Sequence, residues 1–114
     1  MKLKNKIVLV AFPFDDFNTL KVRPAVCLTN KIGRYHHVVL AFITSQIPSR
    51  PDKTDLHIKA EDGDFKKTGL KASSLIKLHK LITIPANLIK RILGDFPNSK
   101  QQELNEKLKK LFEL

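Results

Sequence analysis

Apolar and polar positions along the chain change their rhythm more than once. "KIVLVAF", residues 6–12, is almost continuously apolar, which predicts a strand buried on both faces. Residues 24–29 and "VVLAFITS", 38–45, are similarly apolar and β-branched and predict a second and a third strand. "DLHIKAE" alternates instead, with Leu56 and Ile58 on one side and His57 and Lys59 on the other, the period of a half-exposed strand. "LIKLHKLITI", 75–84, alternates and then becomes more apolar. After Pro85 the period lengthens. Leu88, Ile89, Ile92 and Leu93 fall at helical spacing, and Gly94 is placed to stop a short helix that Pro85 opens. Asn98 or Ser99 is placed to cap a last helix, Ser99 with Gln102 fitting a capping box, and its apolar stripe is Leu104, Leu108, Leu111 and Phe112.

The connections between strands are too short for helical crossovers, so the sheet should be antiparallel and strongly curved. Residues 1–114 then make one domain, a small β-barrel or sandwich closed by a C-terminal helix. The start, "MKLKNKIVLVAFPF", imitates a secretory signal, but its apolar run is short and β-branched and meets Pro13, Asp15 and Asp16, so it reads as a strand. No window approaches the roughly 18 apolar residues of a membrane span. Cys27 is a lone cysteine inside an apolar run, which points to a reducing cytoplasm and a small buried hydrophobe.

Charge changes the picture most. Twenty-one Lys and Arg against 11 Asp and Glu give +10, a field that recruits polyanions or acidic protein partners. Between 64 and 91 seven basic residues, Lys71 among them, meet a single acid, which favours an RNA path over a merely solvated face. In "KVRPAVCLTN" Arg23 is set before Pro24, and a residue before proline is pushed toward extended geometry. A guanidinium so held can pair with Asp15 or Asp16 across the loop, or meet an anion from outside. His36, His37 and His57 show no metal-ligand spacing, and neither metal nor cofactor is expected.

The ordered blocks "VLVAFPF", "RPAVCL", "AFITSQI", "GLKASSLIKLHKLITI" and "LIKRILGDF" resemble those of the PemK/MazF family of type II toxin-antitoxin toxins. The resemblance implies a mainly β fold, an SH3-like β-barrel of PemK/MazF/CcdB type with short helices and a C-terminal helix. It also implies a homodimeric endoribonuclease, or mRNA interferase, acting on single-stranded RNA and neutralised by a cognate acidic antitoxin. Operator DNA would be a partner through the antitoxin complex. Carried over, the arginine of the "RP" motif is Arg23 and the threonine ending the third strand is Thr44. The loop 13–22, with Asp16 and Lys21, would lie beside the groove, and Ser45 and Gln46 would contact RNA. Lys77 and His79 stand where some relatives carry an arginine and an aspartate, which makes His79, with Asp16, a candidate proton carrier. Products would be a 2′,3′-cyclic phosphate and a 5′-hydroxyl. The rival functions are a gyrase poison of the same fold and a catalytically quiet homologue that binds nucleic acid.

Overall fold

A computed structural model describes residues 2–12 and 21–114. Six strands follow in order: β1 Lys6–Phe12, β2 Lys21–Cys27, β3 His37–Thr44, β4 Asp55–Ile58, β5 Ser74–Pro85 and β6 Ile89–Asp95. The helix α1, Gln101–Phe112, comes last. The strands form one sheet in the order β4-β5-β3-β2-β1-β6, every pairing antiparallel. This is the mainly β architecture that the hydrophobic pattern predicts.

Both faces of the sheet are buried, which accounts for the continuous apolar run of β1. Ile7 packs with Val26, Ile43, Leu56 and Ile76, under Phe96 and Leu104 of the C-terminal segment. Val8 and Val10 point the other way, among Ala25, Cys27, Val38 and Leu40. Burial pushes the Cys27 thiol up to about 11, so it stays protonated near neutrality and packs as a hydrophobe.

Residues 85–95 differ from the predicted short helix. A single 3-10 turn, Ala86–Leu88, leads straight into β6. Val8 faces Ile92 while its neighbour Ile7 faces Gly94, and Val10 faces Ile89 while Leu9 faces Arg91. Each of these two bulges adds a residue to β6, so its apolar positions drift from a period of two to spacings that imitate a helix. Ser99 does not cap α1 either. Its hydroxyl donates to Asp64 at 2.8 Å, the first cause of that carboxyl lying below its usual range, and α1 begins after a 3-10 turn without a side-chain cap.

The sheet curls until β6, at one end, meets the connection between β4 and β5 at a seam of backbone. Gly69, in the left-handed region at φ 73°, lies so close to Leu93 that a Cβ there would sit 2.2 Å from the Leu93 carbonyl oxygen. A Cβ on Gly94 would sit 2.1 Å from the carbonyl oxygen of Lys67. Glycine is required at both positions because backbone packs directly on backbone.

A buried ion pair fastens β4 to β5. Lys77 lies opposite Asp55, and its ammonium is 2.9 Å from that carboxylate and 3.2 Å from Asp52. The Asp52 amide also donates to Asp55 at 2.9 Å. His79 Nδ1 is 3.0 Å from the Thr54 hydroxyl, and Lys107 donates to the Lys53 carbonyl at 3.0 Å, tying α1 to the same loop. Desolvation opposes the charge on Lys77, but its hydrogen bonds to Asp55 and Asp52 outweigh this and hold its pKa above the usual lysine value.

Two outcomes test this frame. Gly94→Ala should cost about 1–3 kcal/mol through overpacking, whereas Gly63→Ala, with open space around it, should melt within a degree or so of the parent. Equal melting temperatures for both would mean that the seam is not close-packed. Lys77→Met strands the Asp55 carboxylate, whose side chain is 1% exposed, and should cost about 3 kcal/mol in denaturant titrations at pH 7. The lysine's raised pKa means that its contribution is complete below about pH 10 and fades as pH climbs through the folded value. On the alkaline side the gap between parent and Lys77→Met should therefore narrow in strongly alkaline buffer and not before.

Candidate functional site

The cleft begins where a ladder stops. Pro24 pairs with Leu9 of β1, but it has no N–H, and the pairing of β2 with β3 ends next to it at Ala25–Phe42. Beyond that point β3 keeps only β5, its partner along the other edge from His37 onward, with Ile43 opposite Ile76 and Thr44 opposite Leu75. Continuing the Ala25–Phe42 register two residues along each strand brings Arg23 across from Thr44, on either side of the opening.

A cavity of about 510 Å³ occupies this opening. Arg23, Pro24, Thr44, Ser45 and Gln46 line it together with Leu9, Leu93 and the segment 69–72. The far wall is held by its own hydrogen bonds. Thr68 donates to the Phe65 carbonyl at 2.6 Å and accepts from the Leu70 amide at 3.0 Å, and Ser74 donates to the Ala72 carbonyl at 2.8 Å. The Thr44 oxygen accepts the Gln46 amide at 3.1 Å, which orients the hydroxyl and leaves its proton for an acceptor in the cleft.

Among the described residues, the charged side chains that line the cleft are all cations. Arg23, Lys71 and Arg91 line it, and no carboxylate, imidazole or thiol does so among the described residues. Two smaller hollows are built otherwise. One, of about 400 Å³, is walled chiefly by Leu3, Tyr35, Pro85, Ile89 and Ile92; the other, of about 310 Å³, has Asp64 and Asp95 beside Lys67. Neither sets a guanidinium beside a hydroxyl.

Of the residues that the sequence singles out, the cleft gathers Arg23, Thr44, Ser45 and Gln46. Lys21 is exposed at the start of β2 but is not among the lining residues. Asp16 lies outside the described residues, with the rest of 13–20. Lys77 and His79 are not in the cleft. The Lys77 ammonium is taken up by Asp55 and Asp52, and the His79 ring sits against Thr54, 4.0 Å from Asp52. Asp52, Asp55 and His79 offer ligand atoms within 4.8 Å of one another, but the cation these carboxylates hold is that of Lys77. Arg91 is the cleft residue that sequence reasoning gave no role of its own, because its segment imitates a helix.

The sequence model for PemK-like, MazF-like toxins of type II toxin-antitoxin systems matches residues 4–112. No curated protein matches the chain. Among solved structures, the Mycobacterium tuberculosis toxin MazF-mt6 is 24% identical, with a TM-score of 0.70 over 96% of this chain and 97% of that one. An endoribonuclease from a Mycobacterial species, solved in complex with its cognate antitoxin, is 14% identical, with a TM-score of 0.74 over 100% of this chain and 97% of that one. At such identities the likeness is one of fold, and the match to the family's own sequence pattern carries the assignment: the chain belongs to the PemK-like, MazF-like toxins of type II toxin-antitoxin systems.

Proposed function

We propose that this toxin is an endoribonuclease that cuts single-stranded RNA at the opening between Arg23 and Thr44, without a metal ion. The observation that carries the reading is a cleft lined by Arg23 and a donor-oriented Thr44 hydroxyl, with further cations and no carboxylate among its described lining residues. In the reaction the ribose 2′-oxygen bonds to phosphorus as the bond from phosphorus to the 5′-oxygen breaks. The 2′-hydroxyl gives up a proton, the departing oxygen takes one, and the products carry a 2′,3′-cyclic phosphate and a 5′-hydroxyl.

Each residue meets one demand of that step. The planar fork of Arg23 donates two hydrogen bonds to the non-bridging oxygens as charge develops on them. Thr44 donates a third, already oriented by the Gln46 amide. Ser45 and Gln46, exposed at the rim, suit contacts to base or sugar. Arginine holds its proton too firmly to serve as the base. Asp16 is the remaining proton carrier of the sequence reading, since His79 lies outside the cleft. An unpaired strand is favoured because its nucleotide can splay until the 2′-hydroxyl lines up with the scissile bond. The partners that follow are a cognate acidic antitoxin, suited to the +10 charge, and a second copy of the chain, all in the cytoplasm. A mycobacterial endoribonuclease of this fold is itself seen with its antitoxin.

Incubation of the purified protein with single-stranded RNA in EDTA, followed by end mapping, tests the reading. Discrete cuts with cyclic-phosphate ends are expected. Arg23→Ala should slow them by roughly 10²–10³-fold and Thr44→Ala by roughly tenfold, with melting unchanged. Intact RNA accompanied by trapped gyrase–DNA complexes would instead establish the poison, and intact RNA that is merely bound would establish the quiet homologue.

A further inference from the structure

We propose that Lys71 and Arg91 form a second anion site in the cleft, which holds the RNA phosphate next to the one gripped by Arg23 and Thr44. The proposal rests on the nuclease reading and adds to it the residues that place the neighbouring nucleotide.

Arg91 pairs with Leu9, and Leu9 with Pro24, so the three lie abreast on β6, β1 and β2. Two strand spacings put the Arg91 backbone about 10 Å from that of Pro24. Side chains alternate along a strand, so Arg91 shares a face with Leu9 and Pro24 while Arg23 projects from the other. The two guanidinium groups reach the cleft from different sides and meet different phosphates.

Lys71 lines the same cleft from across the glycine seam. It lies two residues beyond Gly69, and Arg91 lies two residues before Leu93, the pair whose backbones touch. The seam therefore fixes both cations on one stretch of the cleft wall. Neither makes an ion pair among the described residues, and no described carboxylate lines the cleft. Like charges on one cleft wall, with no described counter-ion, repel one another, and a bound phosphate relieves that repulsion. Two cationic positions in one groove match the repeating charge of a nucleic-acid backbone.

The test uses short RNAs in which one linkage at a time near the cut is a neutral methylphosphonate. In wild type, one flanking linkage should raise KM about tenfold when neutralised, with kcat changed less than about twofold. Arg91→Gln should show that raised KM on unmodified RNA and no further rise at the same linkage; Arg91→Lys should recover part of it. With a non-cleavable 2′-deoxy substrate, the slope of log affinity against log salt should fall by about 0.7 in Arg91→Gln, one phosphate contact on a single strand. An Arg91→Gln profile identical to wild type would overturn this site alone. So would a loss confined to kcat, or one confined to binding an acidic peptide. Wild-type protein that leaves every RNA whole would overturn the nuclease reading and this site with it.

Discussion

The absent N–H of Pro24 is the constraint on which the site depends. A β2 strand with a full set of donors could continue its ladder along β3, and Arg23 and Thr44 would become ordinary cross-strand neighbours. As built, β2 keeps its pairing with β1 through Lys21, while β3 beyond Phe42 is paired only with β5 on its other edge. The opening costs pairing on one side only, and the intact β1 ladder keeps the arginine side rigid. The order of two residues, arginine then proline, thus supplies both the cation and the gap that exposes it.

Charge is distributed to the same end. Some lysines elsewhere are answered locally: Lys77 by Asp55 and Asp52, Lys6 by Asp95 at 2.6 Å, and Lys107 by Glu103 at 3.8 Å. The cleft carries three cations and no described acid. A net charge of +10 raises the encounter rate with any polyanion, but this local imbalance gives the encounter a destination. The ion pair at Lys77 shows the contrast, since a lysine 15% exposed and pinned by two aspartates fastens strands and offers nothing to a ligand.

The parts of the fold that burial dictates were legible in the sequence. Strands β1, β2 and β3 lie within a few residues of where the apolar runs put them, because a strand covered on both faces has a simple signature, and β4 and β5 lie where alternation put them. β6 was not legible, since two bulges changed its period and lent it a proline start and a glycine stop. The capping motif at Ser99 failed for a different reason: its hydroxyl found Asp64, 35 residues away, and no local pattern can foresee that partner. The partners of His79 and Lys77 were not legible because alternation states which face a residue occupies, not which group from another segment waits there.

The misread strand and the overlooked arginine have one cause. A bulge lets a strand change which way its residues face, and β6 uses two within seven residues. Leu93 and Gly94 thereby reach the seam, Ile89 packs with the second core, and Arg91 turns to the cleft. A regular strand could not serve three surfaces in so short a length. The irregularity that hid β6 from a periodic reading of the sequence is what lets it close the sheet and furnish a cation to the cleft at once.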